Sequence, residues 1–127
     1  MKNNKEELVN YYLELLMIIK VYHWKTKSYS EHKATDELYE SLNSNFDKFV
    51  EVMLGKEDSK LKMKGRSIKF TDPSNKKDLK KIISSYKKLL EKSMNKYINI
   101  VKDTDLLNIR DEILATLNQF LFLLALK

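Results

Sequence analysis

The sequence predicts an all-α protein: four helices in two antiparallel pairs, joined by one long connection. Three observations predict it. Apolar residues recur at three- and four-residue steps over four long segments, the period of a helix with one buried face. Glycine and proline, which punctuate short strands and turns, number only two and one in 127 residues. Two of the connections between segments are short and one is long.

The first helix is expected over residues 5–25. Leu8, Tyr11, Tyr12, Leu15, Ile18, Ile19 and Tyr22 make its apolar stripe, and Lys25 and Lys27 suit the negative end of its dipole. Ser30 is the expected cap of the second helix, with Glu31 in its first turn and Gly55 just past its end. Leu38, Leu42, Phe46, Phe49, Val50 and Met53 form its buried face. The stretch KEDSKLKMKGRSIKFTDP follows, with no sustained period, although Ile68 and Phe70 call for something apolar to cover. Asp72 as cap and Pro73 at the first helical position restart the chain, and the third helix is expected to reach Val101. Asp103, Thr104 and Asp105 give a turn and a fresh cap. The fourth helix then runs from Leu106 to the end of the chain, with Asn118 and Gln119 expected in a buried hydrogen-bond network.

Connection lengths give the topology. Short turns make helices one and two, and three and four, antiparallel neighbours. The second helix is ~36 Å long at 1.5 Å per residue. An extended linker gaining ~3.3 Å per residue can run back along all of it. Two antiparallel pairs with one long crossover form the ferritin-like arrangement of the four-helix bundle, here as one domain over residues 1–127.

Composition excludes several classes. With no cysteine there are no disulfides and no thiolate metal sites, so a metal must be held by imidazole and carboxylate. MKNNKEELV lacks the apolar core of a signal peptide. The most apolar run, ILATLNQFLFLLALK, is too short to span a bilayer. An intracellular protein without a membrane partner is expected. There is no glycine-rich phosphate loop and no serine or cysteine nucleophile beside a histidine base.

The chemistry concentrates in HWKTKSYSEHKATDELYE, which holds both histidines and the one tryptophan. At 100° per residue, His32, Asp36, Asp47 and Glu51 fall on one narrow strip along the edge of the second helix's apolar arc. Asp47 and Glu51 lie one turn apart and can clasp a cation from one side. His32 and Asp36 make a similar pair ~15–20 Å away, too far to share an ion within one helix. A second copy lying antiparallel brings the two pairs together across a two-fold axis, which makes two identical sites. Imidazole with carboxylate suits iron, zinc or manganese better than magnesium or calcium.

The pair His23-Trp24 followed by His-x3-Asp-x10-Asp-x3-Glu resembles the signature of Dps-type miniferritins within the ferritin-like superfamily. That resemblance implies an Fe(II)-oxidising, iron-sequestering site between two subunits. His23, His32 and Asp36 would come from one and Asp47 and Glu51 from the other, with Trp24 adjacent. The interval from His23 to His32 is three residues shorter than in miniferritins, the chain is shorter, and it has no long lysine-rich tail. A homodimer or larger homo-oligomer is implied, without the twelve-subunit cage. The stretches HWKTKSYSEHKATDELYE, DKFVEVMLG and RDEILATLNQFLFLLALK are also similar to an uncharacterised ferritin-like domain of large DNA viruses, which would add the virion as a location.

Charge gives a second reading. Residues 56–102 carry 15 lysines and arginines against five acids, while the flanking segments are slightly acidic. Lys76, Lys80, Lys87 and Lys88 share one face of the third helix, with no aromatic residue among them. Such a face suits phosphate contacts with nucleic acid, without sequence preference, or a protein partner, in a non-catalytic structural or packaging role.

Overall fold

The structure is a computed structural model describing residues 4–126. Four helices, α1 (Lys5–Lys25), α2 (Tyr29–Glu57), α3 (Lys76–Lys92) and α4 (Thr104–Ala125), carry the fold, with a 3-10 turn at Met94–Lys96. There is no strand among the described residues. No described helix is long and apolar enough to cross a membrane. The expected continuation of the last helix to Lys127 lies outside the described residues, as do residues 1–3 of the expected domain.

Each helix boundary has a local cause. Glu6 and Glu7 begin α1 and His23 and Lys25 end it, matching the helix dipole. The cap of α2 is Ser28, not the expected Ser30; its hydroxyl accepts the Glu31 N–H at 3.3 Å. Only the serine half of a capping box forms, because the Ser28 N–H donates to Thr26 and the Glu31 carboxylate is taken by Tyr22 and Thr26. Gly55 does not end α2. The helix runs on to Glu57, and Asp58 takes the left-handed conformation (φ 47°) that aspartate tolerates better than most residues.

The third helix starts later than expected. Asn75, not Asp72, is its cap, accepting the Asp78 N–H at 2.9 Å. Asp72 instead pairs with Lys25 at 2.6 Å, and Pro73 is buried. It also ends earlier than Val101. The Arg110 guanidinium donates to the Leu90 carbonyl at 2.8 Å, occupying an acceptor at the helix end. The 3-10 turn then directs Met94, Tyr97 and Ile98 into the core. Asn99 captures the Val101 and Lys102 N–H groups at 3.0 Å, closing a turn that a continuing helix would forbid.

One apolar core joins the helices, with Leu8, Ile18, Leu42, Phe49, Ile83 and Ile113 among its fully buried members. Tyr12 stacks on Phe46 (4.2 Å, 7°) and meets Phe49 edge-on, locking α1 to α2. Around the bundle, α1 packs on α2, α2 on α4, α4 on α3, and α3 more sparsely on α1. Lys56 reaches Asp103 at 3.1 Å and Asp105 at 2.7 Å, fastening the end of α2 to the start of α4.

Segment 58–75 lies along the outside of α1. Glu6 accepts the Lys62 N–H (3.0 Å), Asn10 donates to the Ser67 carbonyl (2.9 Å), and Glu14 accepts the Lys69 N–H (3.3 Å). Both chains ascend together. From 62 to 72 the segment can cover at most ~33 Å at ~3.3 Å per residue, and a turn in which the Arg66 N–H donates to the Met63 carbonyl at 3.1 Å shortens it. From 6 to 25, at 1.5 Å per helical residue, α1 covers ~29 Å, a comparable length. Leu61 and Met63 pack against the core, whereas Ile68 and Phe70 stay 39% and 40% exposed.

Asn118 and Gln119 are not in a buried network. The buried stripe of α4 is Leu106, Ile109, Ile113, Leu117, Phe120 and Leu124, which turns both amides outward.

The hydroxyl of Tyr12 is buried with no partner among the described residues, whereas that of Tyr22 donates to Glu31 at 2.7 Å. Tyr12→Phe removes a desolvated group and loses no bond, and is expected to raise stability by ~1 kcal/mol. Tyr22→Phe removes a bond to a carboxylate and is expected to cost ~1.5–3 kcal/mol. Urea denaturation of both variants measures the difference, and the reverse order would contradict this account of the core.

Candidate metal centre

A connection of three residues, 26–28, brings the last turn of α1 against the first turn of α2. His23 and His32 meet there. Their rings stack with centroids 3.8 Å apart and planes 19° from parallel. The His23 Nδ1 lies 2.7 Å from the His32 carbonyl oxygen, and the His32 Nδ1 lies 2.8 Å from the His23 carbonyl oxygen. A carbonyl only accepts, so both Nδ1 atoms carry a proton and donate. The carbonyl of His23 is among those a helix C-terminus leaves unpaired, so His32 caps α1 from the neighbouring helix. Thr35, fully buried, has its hydroxyl 3.1 Å from the His23 Nδ1 and donates to the Glu31 carbonyl at 2.7 Å.

This pattern fixes the tautomer. In the neutral imidazole a proton on Nδ1 leaves the Nε2 lone pair free, and an Nδ1–H held by a backbone carbonyl is the support that metal-ligating histidines commonly have. Neither Nε2 has a hydrogen-bond partner among the described residues.

The stack also restricts coordination. An ion bound to imidazole lies in the ring plane, ~2.0–2.1 Å from the nitrogen. Two nearly parallel planes separated by a stacking distance do not meet at such a point. As stacked, His23 and His32 cannot both bind one ion. His32 is exposed and His23 is buried, so His32 is the outward member.

Asp36 follows His32 by one turn and is exposed; Asp47 and Glu51, one turn apart, are exposed further along α2. The unbroken helix keeps all four on one flank, with ~16 Å of rise between Asp36 and Asp47. Thus the structure unites His23 with His32 and leaves the His32–Asp36 and Asp47–Glu51 pairs apart within one chain. Among the described residues, no three histidine or acidic side chains of a single chain are close enough to hold an ion. Beside this flank α1 exposes Leu13 (38%), Met17 (39%) and Trp24 (67%).

One supporting residue, Lys20, and the bonding role of another, Glu31, escaped the sequence reading. The Lys20 ammonium lies over the rings of Trp24 (5.6 Å) and Tyr39 (4.9 Å), bridging α1 and α2 by cation–π contacts. The i, i+4 spacing of Lys20 and Trp24 was the available signal. Glu31 accepts from Tyr22 and, at 3.0 Å, from Thr26; burial and this carboxylate push the Tyr22 hydroxyl above its usual pKa. The capping-box spacing from Ser28 was its signal.

On α3, Lys80 and Lys88 are exposed and Lys76 and Lys87 half-buried. None of the four forms an ion pair among the described residues.

The sequence matches a protein family described as a family of unknown function, DUF5856, over residues 23–124. The chain belongs to that family. Neither curated proteins nor solved structures gave a match.

Long-range proton–nitrogen NMR at a pH where both rings are neutral is expected to place both histidines in the Nδ1–H form, the minor tautomer of free imidazole side chains. Finding either ring in the Nε2–H form would contradict the reciprocal bonding.

Proposed function

We propose that this member of DUF5856 binds Fe(II) as a substrate and oxidises it at a site completed between two copies of the chain. One copy supplies His32 and Asp36, and the other supplies Asp47 and Glu51. His23, buried and stacked on His32, orients that ring and is not itself required as a ligand. Dioxygen or peroxide accepts the electrons. The carboxylates, as hard oxygen donors, favour the ferric product. The same donor types also accept zinc or manganese.

The observation that carries the reading is the reciprocal histidine pair. It occupies both Nδ1 atoms and leaves Nε2 lone pairs at the end of a flank whose three carboxylates form no ion pair among the described residues. The packing order α1–α2–α4–α3 and the ascent of segment 58–75 along α1 support the ferritin-like arrangement with its crossover between α2 and α3. Leu13, Met17 and Trp24 supply apolar surface for a homodimer beside the acidic strip. An intracellular location accords with this role.

A second reading is favoured by the lysines of α3, exposed at Lys80 and Lys88 and half-buried at Lys76 and Lys87, without ion pairs among the described residues, which would hold nucleic acid through phosphates without any catalytic step.

Fe(II) oxidation in air, followed by ferric absorbance, is expected to exceed the rate in buffer and to return to it in the Asp47→Ala/Glu51→Ala variant. Asp36→Ala and Asp47→Ala chains, each inactive alone, are expected to regain about a quarter of the wild-type rate when mixed equally and allowed to exchange. Half the dimers are then mixed, with one of two sites intact. Equal traces for wild type and double variant, or no recovery on mixing, would remove the proposal. For the second reading, DNA retardation should fall steeply with salt and with charge reversal at Lys80, Lys87 and Lys88. Salt-insensitive or absent retardation would remove it.

A further inference from the structure

Away from the α2 flank, an open groove of about 350 Å³ lies between α1, α3 and segment 58–75. It follows the sparsest seam of the bundle, where side chains of α1 and α3 leave the space unfilled. Tyr11 and Tyr86 line it edge-to-face, with centroids 6.4 Å apart at 76°. Partly buried Ile82 and Leu89 form an apolar wall.

Glu14 is the acid of this groove. One carboxylate oxygen accepts from the Tyr86 hydroxyl at 3.2 Å, and the other accepts from the Lys69 backbone N–H at 3.3 Å. Both donors are neutral. No lysine, arginine or histidine nitrogen among the described residues pairs with this carboxylate, although the surrounding segment is rich in lysine. Lys69 also lines the groove, but its ammonium makes no ion pair with Glu14 among the described residues, so the carboxylate is oriented by neutral donors alone. A metal ion does not fit well, because the groove offers a single carboxylate and no imidazole. Burial, followed by the neighbouring Glu14, pushes the Tyr86 hydroxyl well above its usual pKa, so it remains a neutral donor.

We infer that this groove binds a small alkylammonium ion, its charged head against Glu14 and the tyrosine rings and its alkyl chain along Ile82 and Leu89. Aromatic rings attract a cation through their quadrupole, and the carboxylate supplies the counter-charge. The inference is independent of the iron reading, which concerns a different face.

The test is an aromatic NMR titration of the full chain with n-butylammonium, using n-butanol as the neutral control. Saturable shifts of the Tyr11 and Tyr86 ring signals are expected, with a dissociation constant on the order of 1–10 mM, and none with n-butanol at equal concentration. Glu14→Gln is expected to weaken binding at least tenfold. Should that variant fail to fold, Ser85→Lys, at the exposed rim, places the chain's own ammonium in the groove and is expected to weaken binding similarly. Equal shifts with n-butanol, unchanged affinity in whichever of these variants folds, or shifts confined to Trp24 and the α2 flank would overturn the inference.

Discussion

The exchange of two hydrogen bonds between His23 and His32 fixes the rest of the candidate site. Each imidazole donates to the other residue's backbone carbonyl; turning the His32 ring would strip the His23 carbonyl at the end of α1, whereas the His32 carbonyl keeps the Thr35 hydroxyl as a donor. A hydrogen bond of this kind contributes ~0.5–1.5 kcal/mol net, and an unmatched buried group costs more. The pair closes the connection between α1 and α2 and sets the rotation of α2 about its own axis. Once that rotation is set, Leu38, Leu42, Phe46, Phe49 and Met53 must face the core, and Asp36, Asp47 and Glu51 must line the open flank. In the proposed site His32 would serve stability through Nδ1 and chemistry through Nε2.

The polar residues of α1 have a related role. Glu6, Asn10, Glu14 and Lys25 would read as a solvated face, yet each holds part of segment 58–75. The extended backbone has no sheet partner and needs acceptors and donors from somewhere. Side chains of α1 provide several of them. As a result the outer side of α1 is covered, while its side next to α2 stays open with Leu13, Met17 and Trp24. An apolar stripe beside an acidic strip suits burial against another protein surface more than contact with water.

Much of the fold was legible because helical periodicity is a repeated signal. The apolar part of α2's buried face came out apart from Val50, which is only partly buried, while the fully buried Thr35 was missed. The ends were less legible because caps compete locally. Ser28 and Ser30 are both good caps, and only the Glu31 interaction separates them. Asp72-Pro73 is a strong start signal, but Lys25 draws Asp72 away and Asn75 takes the role. The break after Lys92 depends on Arg110, twenty positions on, which no local pattern reveals. For the site, the strip on α2 was readable from angular position alone. The histidine stack was not, because it joins two helices through backbone carbonyls that carry no sequence signature.

The central claim is that the histidine-bearing end of one α2 meets the Asp47–Glu51 end of another. The chain has no cysteine, so introduced thiols report single contacts. Chains carrying Asp36→Cys and chains carrying Asp47→Cys, mixed and treated with a short bifunctional thiol reagent, give the most direct measurement. The account predicts covalent dimers that join the two different chains in preference to like pairs. A chain that stays monomeric, or links only like with like, would contradict it.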